Sequence, residues 1–168
     1  MTKTVAIVTG GSRGIGHATA MRLAKDFSVL VLVARNRTKL EDTAAVVRSA
    51  GAEALVIDAD LAEPTAAANV VERTLSAFGR IDALLKVAGA VPGVDLLEMT
   101  DEQWASGMEG KFHGARRLTI QAGDALKASQ GAIVFASRHQ RSSAMVGAFG
   151  MDLPRDTRCR RLLSTEAV

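Results

Sequence analysis

The 168-residue sequence contains no tyrosine and one cysteine, and its aromatic residues are five phenylalanines and one tryptophan. The single Cys159 cannot form an intrachain disulfide, and His17, His113 and His139 are too scattered for a metal-binding motif. So few aromatic rings offer a poor stacking surface for single-stranded nucleic acid. No apolar run approaches the roughly 18 residues of a membrane span, and the run at 5–8 is too short for a signal peptide. We therefore expect a cytoplasmic protein without a metal site and without a membrane or nucleic-acid partner.

Charge of one sign is not in large excess either. The sequence has 21 basic and 18 acidic residues, with none of the Lys/Arg runs typical of nucleic-acid-binding tails. Its hydrophobic content of 48% is sufficient for the core of one compact domain, which we place at residues 1–150. Residues 151–168 lose this apolar periodicity and include four arginines between 155 and 161, so we predict an irregular C-terminal tail. A frameshift product is one hypothesis for this tail.

Short apolar runs alternate with longer stretches whose apolar residues recur three or four positions apart. This alternation predicts a Rossmann-type α/β fold, a doubly wound parallel sheet of five strands in the order 3-2-1-4-5. We predict strands at 4–8, 29–33, 54–58, 83–87 and 132–136, and helices at 14–25, 38–50, 64–78 and 101–127. Pro64 suits a first helical turn, and Thr100 with Gln103 predicts a capping box at the start of the last helix.

A glycine-rich turn links the first strand to the first helix. Residues 9–16 read Thr-Gly-Gly-Ser-Arg-Gly-Ile-Gly. Glycines let the backbone turn tightly and approach a pyrophosphate, while the helix N-terminus offers free N–H groups. The turn therefore predicts a dinucleotide site formed by Gly10, Ser12, Arg13, Gly14, Ile15 and Gly16. The alternative is that the glycines only fit the chain into a tight corner.

The spacing Gly-x-x-x-Gly-x-Gly resembles that of the short-chain dehydrogenase/reductase family, and the resemblance extends over about residues 3–137. Two further segments carry it: Asp58-Ala59-Asp60-Leu61 after the third strand and Ala88-Gly89-Ala90 after the fourth. By resemblance, Asp60 contacts the adenine amino group, Leu61 is a further cofactor-binding residue, and Ala88, Gly89 and Ala90 lie beside the adenosine. Lys86 and Val87 replace both asparagines of the family's Asn-Asn-Ala-Gly turn, and Asp60 has the alternative role of a helix-capping carboxylate.

The end of the second strand distinguishes NAD(H) from NADP(H), because an acidic residue there binds a ribose hydroxyl whereas arginine pairs with a 2′-phosphate. This sequence reads Ala-Arg-Asn-Arg at 34–37, so Arg35 and Asn36, with Arg13 nearby, predict NADP(H). The alternative is that Arg35 and Arg37 are solvated charges that pair with Glu41.

The family's catalytic residues are Asn, Ser, Tyr and Lys, and this sequence departs from all four. Lys111 holds the Asn position and Arg138 the Ser position, while Met151 and Arg155 replace the Tyr and Lys. Two groups remain as catalytic candidates. Lys111 is a candidate acid or base, or it only binds ribose hydroxyls or a carbonyl. Ser137 orients a substrate or only ends the strand.

The resemblance implies an oxidoreductase that transfers a hydride between NADP(H) and a small carbonyl or alcohol substrate, here with an atypical or impaired active site. The alternatives are a catalytically inactive NADP(H)-binding sensor or partner subunit, and a truncated remnant, because the sequence is incomplete relative to the family. Gly107, Gly110 and Gly114 lie on one side of the last helix, where family members usually pair, and predict a possible homodimer. Their alternative role is close packing within the chain.

Overall fold

A computed structural model describes residues 3–89, 93–95 and 97–136. Within them, five parallel strands form one sheet in the order β3-β2-β1-β4-β5, which confirms the predicted fold class and strand order. The strands are β1 (Val5–Thr9), β2 (Val29–Ala34), β3 (Glu53–Asp58), β4 (Ala83–Lys86) and β5 (Ala132–Phe135). Each lies within one residue of its predicted bounds at either end.

Helices cover both faces of the sheet, so the central strands are apolar on both sides. Successive residues of β1 alternate between two core clusters: Ile7 belongs to the cluster that contains Leu118, and Val8 belongs to the cluster that contains Leu40. The helices are α1 (Gly14–Leu23), α2 (Arg37–Ser49), α3 (Ala66–Phe78), α4 (Asp101–Met108) and α5 (Gly114–Ser129). The carboxyl ends of β1 and β4 lie side by side, and this edge of a doubly wound sheet is where ligands bind.

The long helix predicted at 101–127 is interrupted. A π-helical segment, Glu109–His113, separates α4 from α5, although the predicted capping box at Thr100 and Gln103 is confirmed. The apolar spacing did not reveal the π turn, because each flanking helix keeps its own regular apolar stripe. Helix α3 begins at Ala66 rather than at the predicted Pro64, since the Ala66 N–H first bonds to the Glu63 carbonyl in a turn, at 3.2 Å.

Gly114 has a role in packing within the chain. A Cβ at this position would overlap the carbonyl of Leu61, so only glycine lets α5 approach so closely. Gly107 is buried, whereas a Cβ at Gly110 would meet no atom within 4 Å. Intrachain packing, the alternative to dimerisation, therefore accounts for Gly114. Among the described helices, none combines the length and apolar character needed to cross a membrane.

Candidate functional site

The glycine turn joins the carboxyl end of β1 to α1, as the sequence predicts. The Gly10 N–H donates to the Val33 carbonyl at 2.7 Å, and Gly10 has φ +72°, a conformation that glycine adopts without strain. A Cβ at Gly16 would overlap the Gly10 carbonyl. No side-chain hydrogen bond caps the start of α1, whose N-cap residue is Arg13. An uncapped helix start after a tight glycine turn is a suitable binding place for a phosphate.

Thr9 fastens this turn to the end of β4. Its buried hydroxyl accepts hydrogen bonds from the Val87 and Ala88 N–H groups, both at 3.0 Å, and donates to the Leu85 carbonyl at 3.3 Å. A Cβ at Gly10 would lie 3.0 Å from the Ala88 nitrogen, so the two turns are in close contact. Thr9 therefore satisfies two backbone N–H groups of the turn in which Lys86 and Val87 replace the family's two asparagines.

A second hydroxyl supports the glycine turn from α2. Thr43 is buried, and its Oγ1 donates to the Gly11 carbonyl at 2.9 Å. The Nδ1 of His17, on α1, lies 2.8 Å from the same oxygen. The Thr43 hydroxyl therefore ties α1 and α2 to the turn. Sequence reasoning missed this role, because the residues are 26 and 32 positions apart.

Charged side chains crowd the ends of β2 and β3. The Arg35 guanidinium lies 3.7 Å from the Asp60 carboxylate and is 70% exposed, whereas Arg37 pairs more closely with Asp58, at 2.8 Å. Arg37 also lies 3.9 Å from Glu41, which agrees for Arg37 with the alternative prediction of solvated arginines that pair with Glu41. Arg35 is thus held only loosely. No ion pair involves Arg13 within the described part of the chain.

Three other predicted cofactor residues also have structural roles. The Asn36 side chain caps α2 by accepting from the Lys39 N–H at 3.0 Å. Asp60 accepts from the Ala62 N–H at 3.0 Å in the turn before α3, so it does not cap that helix, whose N-cap residue is Thr65. The Leu61 side chain is buried in the core, so only its backbone can reach a ligand. Ile15, by contrast, is an exposed apolar side chain at the start of α1.

Two lysine side chains lie against the turn that follows β4. Lys86 is 4% exposed, and its Nζ donates to the Ala88 carbonyl. Lys111 projects from the π-helical segment over Gly89, where a Cβ would lie 3.3 Å from the lysine Cγ. Burial, together with the nearby charge of Lys111, lowers the pKa of Lys86 from 10.5 to about 8. The structure thus brings one predicted catalytic candidate, Lys111, to the predicted cofactor turn.

The sequence analysis did not predict Lys86 as a site residue, because it identifies Lys86 only as a replacement for an asparagine. The available signal was a lysine at the end of an otherwise apolar, doubly covered strand. Ser137 and Ala90, the other predicted site residues in this region, lie outside the described residues, as does the predicted tail at 151–168.

No other feature of the described residues competes with this edge. They contain no cluster of three or more His, Cys, Asp or Glu side chains that could hold a metal ion. A surface groove of about 750 Å³ lies between β3 and α3, and its lining includes Leu55, Asn69 and Arg73 but none of the predicted site residues. The candidate site is therefore the edge formed by the carboxyl ends of β1, β2 and β4.

Comparison with known proteins agrees with this geometry. The family model for short chain dehydrogenases matches residues 4–148. Among curated relatives, the short-chain reductase protein NovJ of Streptomyces niveus is 36% identical over 121 residues, covering 72% of this chain and 46% of NovJ. A 3-oxoacyl-(acyl-carrier-protein) reductase, FabG, of Staphylococcus aureus N315 is 30% identical over 155 residues, covering 89% of this chain and 59% of FabG. The chain thus spans about half the length of these relatives.

Solved structures show the same likeness. L-Sorbose reductase from Gluconobacter frateurii, complexed with NADPH and L-sorbose, is 34% identical with a TM-score of 0.75, and the match covers 80% of this chain and 52% of that one. An alcohol dehydrogenase from Thermococcus sibiricus, complexed with 5-hydroxy-NADP, is 30% identical with a TM-score of 0.74, over 79% of this chain and 57% of that one. The family model, the curated relatives and the sheet order agree, and the chain belongs to the short-chain dehydrogenase family.

Proposed function

We propose that the chain binds NADP(H) along the carboxyl edge of the sheet and transfers a hydride between this cofactor and a small carbonyl or alcohol substrate. The observation that carries the proposal is the uncapped start of α1 behind the Gly10 and Gly16 turn. It supplies backbone donors and the positive end of a helix dipole for a pyrophosphate. Ser12, Gly14 and Ile15 lie in the same turn, and Ala88, Gly89 and Ala90 follow the neighbouring strand.

The preference for NADP(H) over NAD(H) rests on the charges around the 2′ position. Arg35 is exposed and only loosely paired with Asp60, and Arg13 adds a second cation from the glycine turn. A charge-assisted bond from one guanidinium to a phosphate contributes about 1.5 to 3 kcal/mol, which is roughly a tenfold to hundredfold preference. Relatives of both kinds occur, since sorbose reductase is complexed with NADPH and a xylitol dehydrogenase is bound to NAD⁺.

The experiment is a direct measurement of NADPH and NADH affinity by fluorescence titration of the 168-residue chain. The wild type should bind NADPH at least tenfold more tightly than NADH, by the size of one phosphate contact. Arg35→Gln should remove most of that preference and leave NADH affinity unchanged. Arg22→Gln is the matched control, because Arg22 lies on the last turn of α1 and pairs with Asp26 there. Equal affinity for the two cofactors in the wild type would refute the preference.

The proton required for hydride chemistry needs a donor other than tyrosine, since these 168 residues contain none. We assign that role to Lys111, with Ser137 orienting the substrate. In support of this assignment, the π-helical segment places Lys111 over Gly89, beside the turn that follows β4. Lys111→Ala should then abolish NADPH consumption with a panel of carbonyl substrates while NADPH binding persists.

The second candidate function is NADP(H) binding without turnover, by a sensor or a partner subunit. The observation that favours it is the combined replacement of the family's catalytic residues, including the missing tyrosine. Tight NADPH binding with no consumption across the whole substrate panel would select this function.

A homodimer through α4 and α5 remains part of the proposal. It is supported by exposed apolar side chains on this helical stretch, Phe112 at 47% and Ile120 at 59%, rather than by Gly114. Sedimentation of the wild type and of an Ile120→Glu variant tests it. A wild-type monomer at micromolar concentration would contradict the dimer.

A further inference from the structure

Lys86 and Lys111 come from different elements and converge at the carboxyl edge of the sheet. Lys86 ends β4, whereas Lys111 lies 25 residues later in the π-helical segment. The aliphatic stem of Lys111 covers Gly89, and the Lys86 Nζ donates to the Ala88 carbonyl one residue earlier. The two lysine side chains therefore both lie against the same short turn.

Neither cation has a neutralising partner among the described residues. Among residues 3–89, 93–95 and 97–136, no carboxylate forms an ion pair with either lysine. The nearest acidic residue along the π-helical segment is Glu109, which lies 2.9 Å from Arg117 instead. The neighbouring strands bring Thr9 and Phe135 to the level of Lys86, and neither side chain titrates near neutral pH.

Lys86 nevertheless keeps its charge at neutral pH. Its pKa falls to about 8 through burial and through the charge of Lys111. With that pKa, roughly nine in ten molecules still carry the Lys86 proton at pH 7. A buried ammonium group is costly unless an anion or several acceptors surround it, and Lys86 has one backbone acceptor described.

The surroundings suit a ligand rather than a purely structural charge. The Val87–Gly89 turn contacts the glycine turn through Gly10 and is hydrogen-bonded to Thr9. The lysines therefore border the crevice between β1 and β4, at the point where the connections of the sheet diverge to opposite sides.

We propose that Lys86 and Lys111 together form an oxyanion-binding site, which takes a carboxylate or phosphate group of a molecule held in the crevice. Lys111 supplies the exposed amine and Lys86 the buried one. The site stands on the two amines alone and does not require that the chain bind NADP(H). An anionic substrate and the phosphates of a cofactor are two sources of the same chemistry.

The test follows the Lys86 ammonium by NMR of the full chain labelled with ¹³C at the lysine Cε. The probes are acetate and sulfate, which do not titrate between pH 7 and 9, with sodium chloride at the same ionic strength as the reference. Because the anion binds the protonated amine, saturating probe should raise the pKa of Lys86 by about one pH unit or more. For the same reason the affinity for the probe should be about tenfold weaker at pH 9 than at pH 7.

Three variants make the result specific. Lys86→Met identifies the Lys86 signal and should remove the pH dependence of probe binding between pH 7 and 9. Lys111→Met, at an exposed position, should weaken binding at least tenfold and raise the pKa of Lys86, because the Lys111 charge lowers it. Lys127→Met is the control, since Lys127 is 82% exposed and lies 3.5 Å from Asp124. It should bind the probes like the wild type.

NADPH is a third probe, and it distinguishes a cofactor phosphate from an anionic substrate as the group that occupies the site. If NADPH alone raises the pKa of Lys86 and then blocks acetate and sulfate, a cofactor phosphate occupies the site. If acetate or sulfate still raises it in the presence of saturating NADPH, the site serves the anionic group of a substrate. A Lys86 pKa that neither acetate, sulfate nor NADPH changes, relative to chloride, would overturn the proposal. That result is separate from a failure of NADPH to bind, which would refute the proposed function alone.

Discussion

Lys86→Met replaces a buried ammonium group with an apolar side chain of similar length. In the wild type, burial and the charge of Lys111 lower the pKa of Lys86 from 10.5 to about 8. The folded protein therefore binds this proton more weakly than the unfolded chain does. Below pH 8 both states are protonated, and the folded state carries the whole cost of the buried charge.

The size of that cost follows from the two pKa values. Each tenfold change in proton affinity is worth about 1.4 kcal/mol, so a fall from 10.5 to about 8 corresponds to roughly 3 kcal/mol. The substitution also removes the hydrogen bond from Lys86 to the Ala88 carbonyl, which subtracts about 1 kcal/mol. Lys86→Met should therefore stabilise the protein by about 2 kcal/mol at pH 7, a rise in Tm of roughly 4 to 8 °C.

The sign of the effect should change with pH. As the pH rises through 8, the folded state loses the Lys86 proton before the unfolded state does, so the wild type gains up to about 1.4 kcal/mol per pH unit. Above pH 10.5 this gain approaches completion, and the wild type should then exceed Lys86→Met by the roughly 1 kcal/mol of the hydrogen bond. The variant should be the more stable protein at pH 7 and the less stable one above pH 10.

Urea unfolding followed by circular dichroism at pH 7, 8, 9, 10 and 11 measures this crossing. The sequence favours the experiment, because it has no tyrosine to titrate in the alkaline range and only one thiol, Cys159. Lys127→Met is the control for loss of an exposed lysine and should leave the wild-type pH dependence intact. If the unfolding free energy of the wild type does not rise from pH 8 to 10 relative to that of Lys86→Met, the pKa of Lys86 is not lowered in the folded protein.

Two packing predictions concern the same edge of the sheet. Thr9→Val removes the acceptor of two N–H groups in the turn after β4 and should cost roughly 2 to 4 kcal/mol of unfolding free energy, whereas Thr9→Ser keeps the hydroxyl and most of the stability. Gly114→Ala places a Cβ against the Leu61 carbonyl and should cost about 1 to 3 kcal/mol in the same urea titrations. Gly110→Ala meets no neighbouring atom and should be neutral or slightly stabilising, so equal losses in the two glycine variants would contradict the packing argument.

Local patterns were sufficient to predict the sheet. The central strands β1 and β2 are short apolar runs, because both of their faces are covered, and the crossover rule then limits the order of the strands. The glycine turn was also predictable from local sequence, because the positive φ of Gly10 and the contact of Gly16 with the Gly10 carbonyl involve residues only a few positions apart. The strands and the glycine turn therefore depend on residues close in sequence or on the regular spacing of apolar residues.

The remaining features of the site depend on contacts between distant residues. The hydroxyl of Thr43 reaches the Gly11 carbonyl, 32 residues away, and no periodic pattern indicates such a bond. The π-helical segment Glu109–His113 is likewise not indicated by any sequence pattern, although it contains Lys111 and positions that side chain beside Gly89. Arg35 was correctly placed at the end of β2, but its loose pairing with Asp60 could only be seen in three dimensions.

The two lysines illustrate the same limit and allow one more prediction. In the sequence, Lys86 and Lys111 are separate departures from the family pattern, each of which suggests a lost function. In the structure the charge of one lowers the pKa of the other, so their effects on stability must be coupled. Lys111→Met should stabilise the wild type at pH 7 by roughly 0.5 to 1 kcal/mol, since burial is the larger cause of the shift. In the Lys86→Met background it should have no such effect, because the charge that it repels is gone. A double-mutant cycle in urea measures the difference, and strict additivity of the two substitutions would show that the amines do not interact.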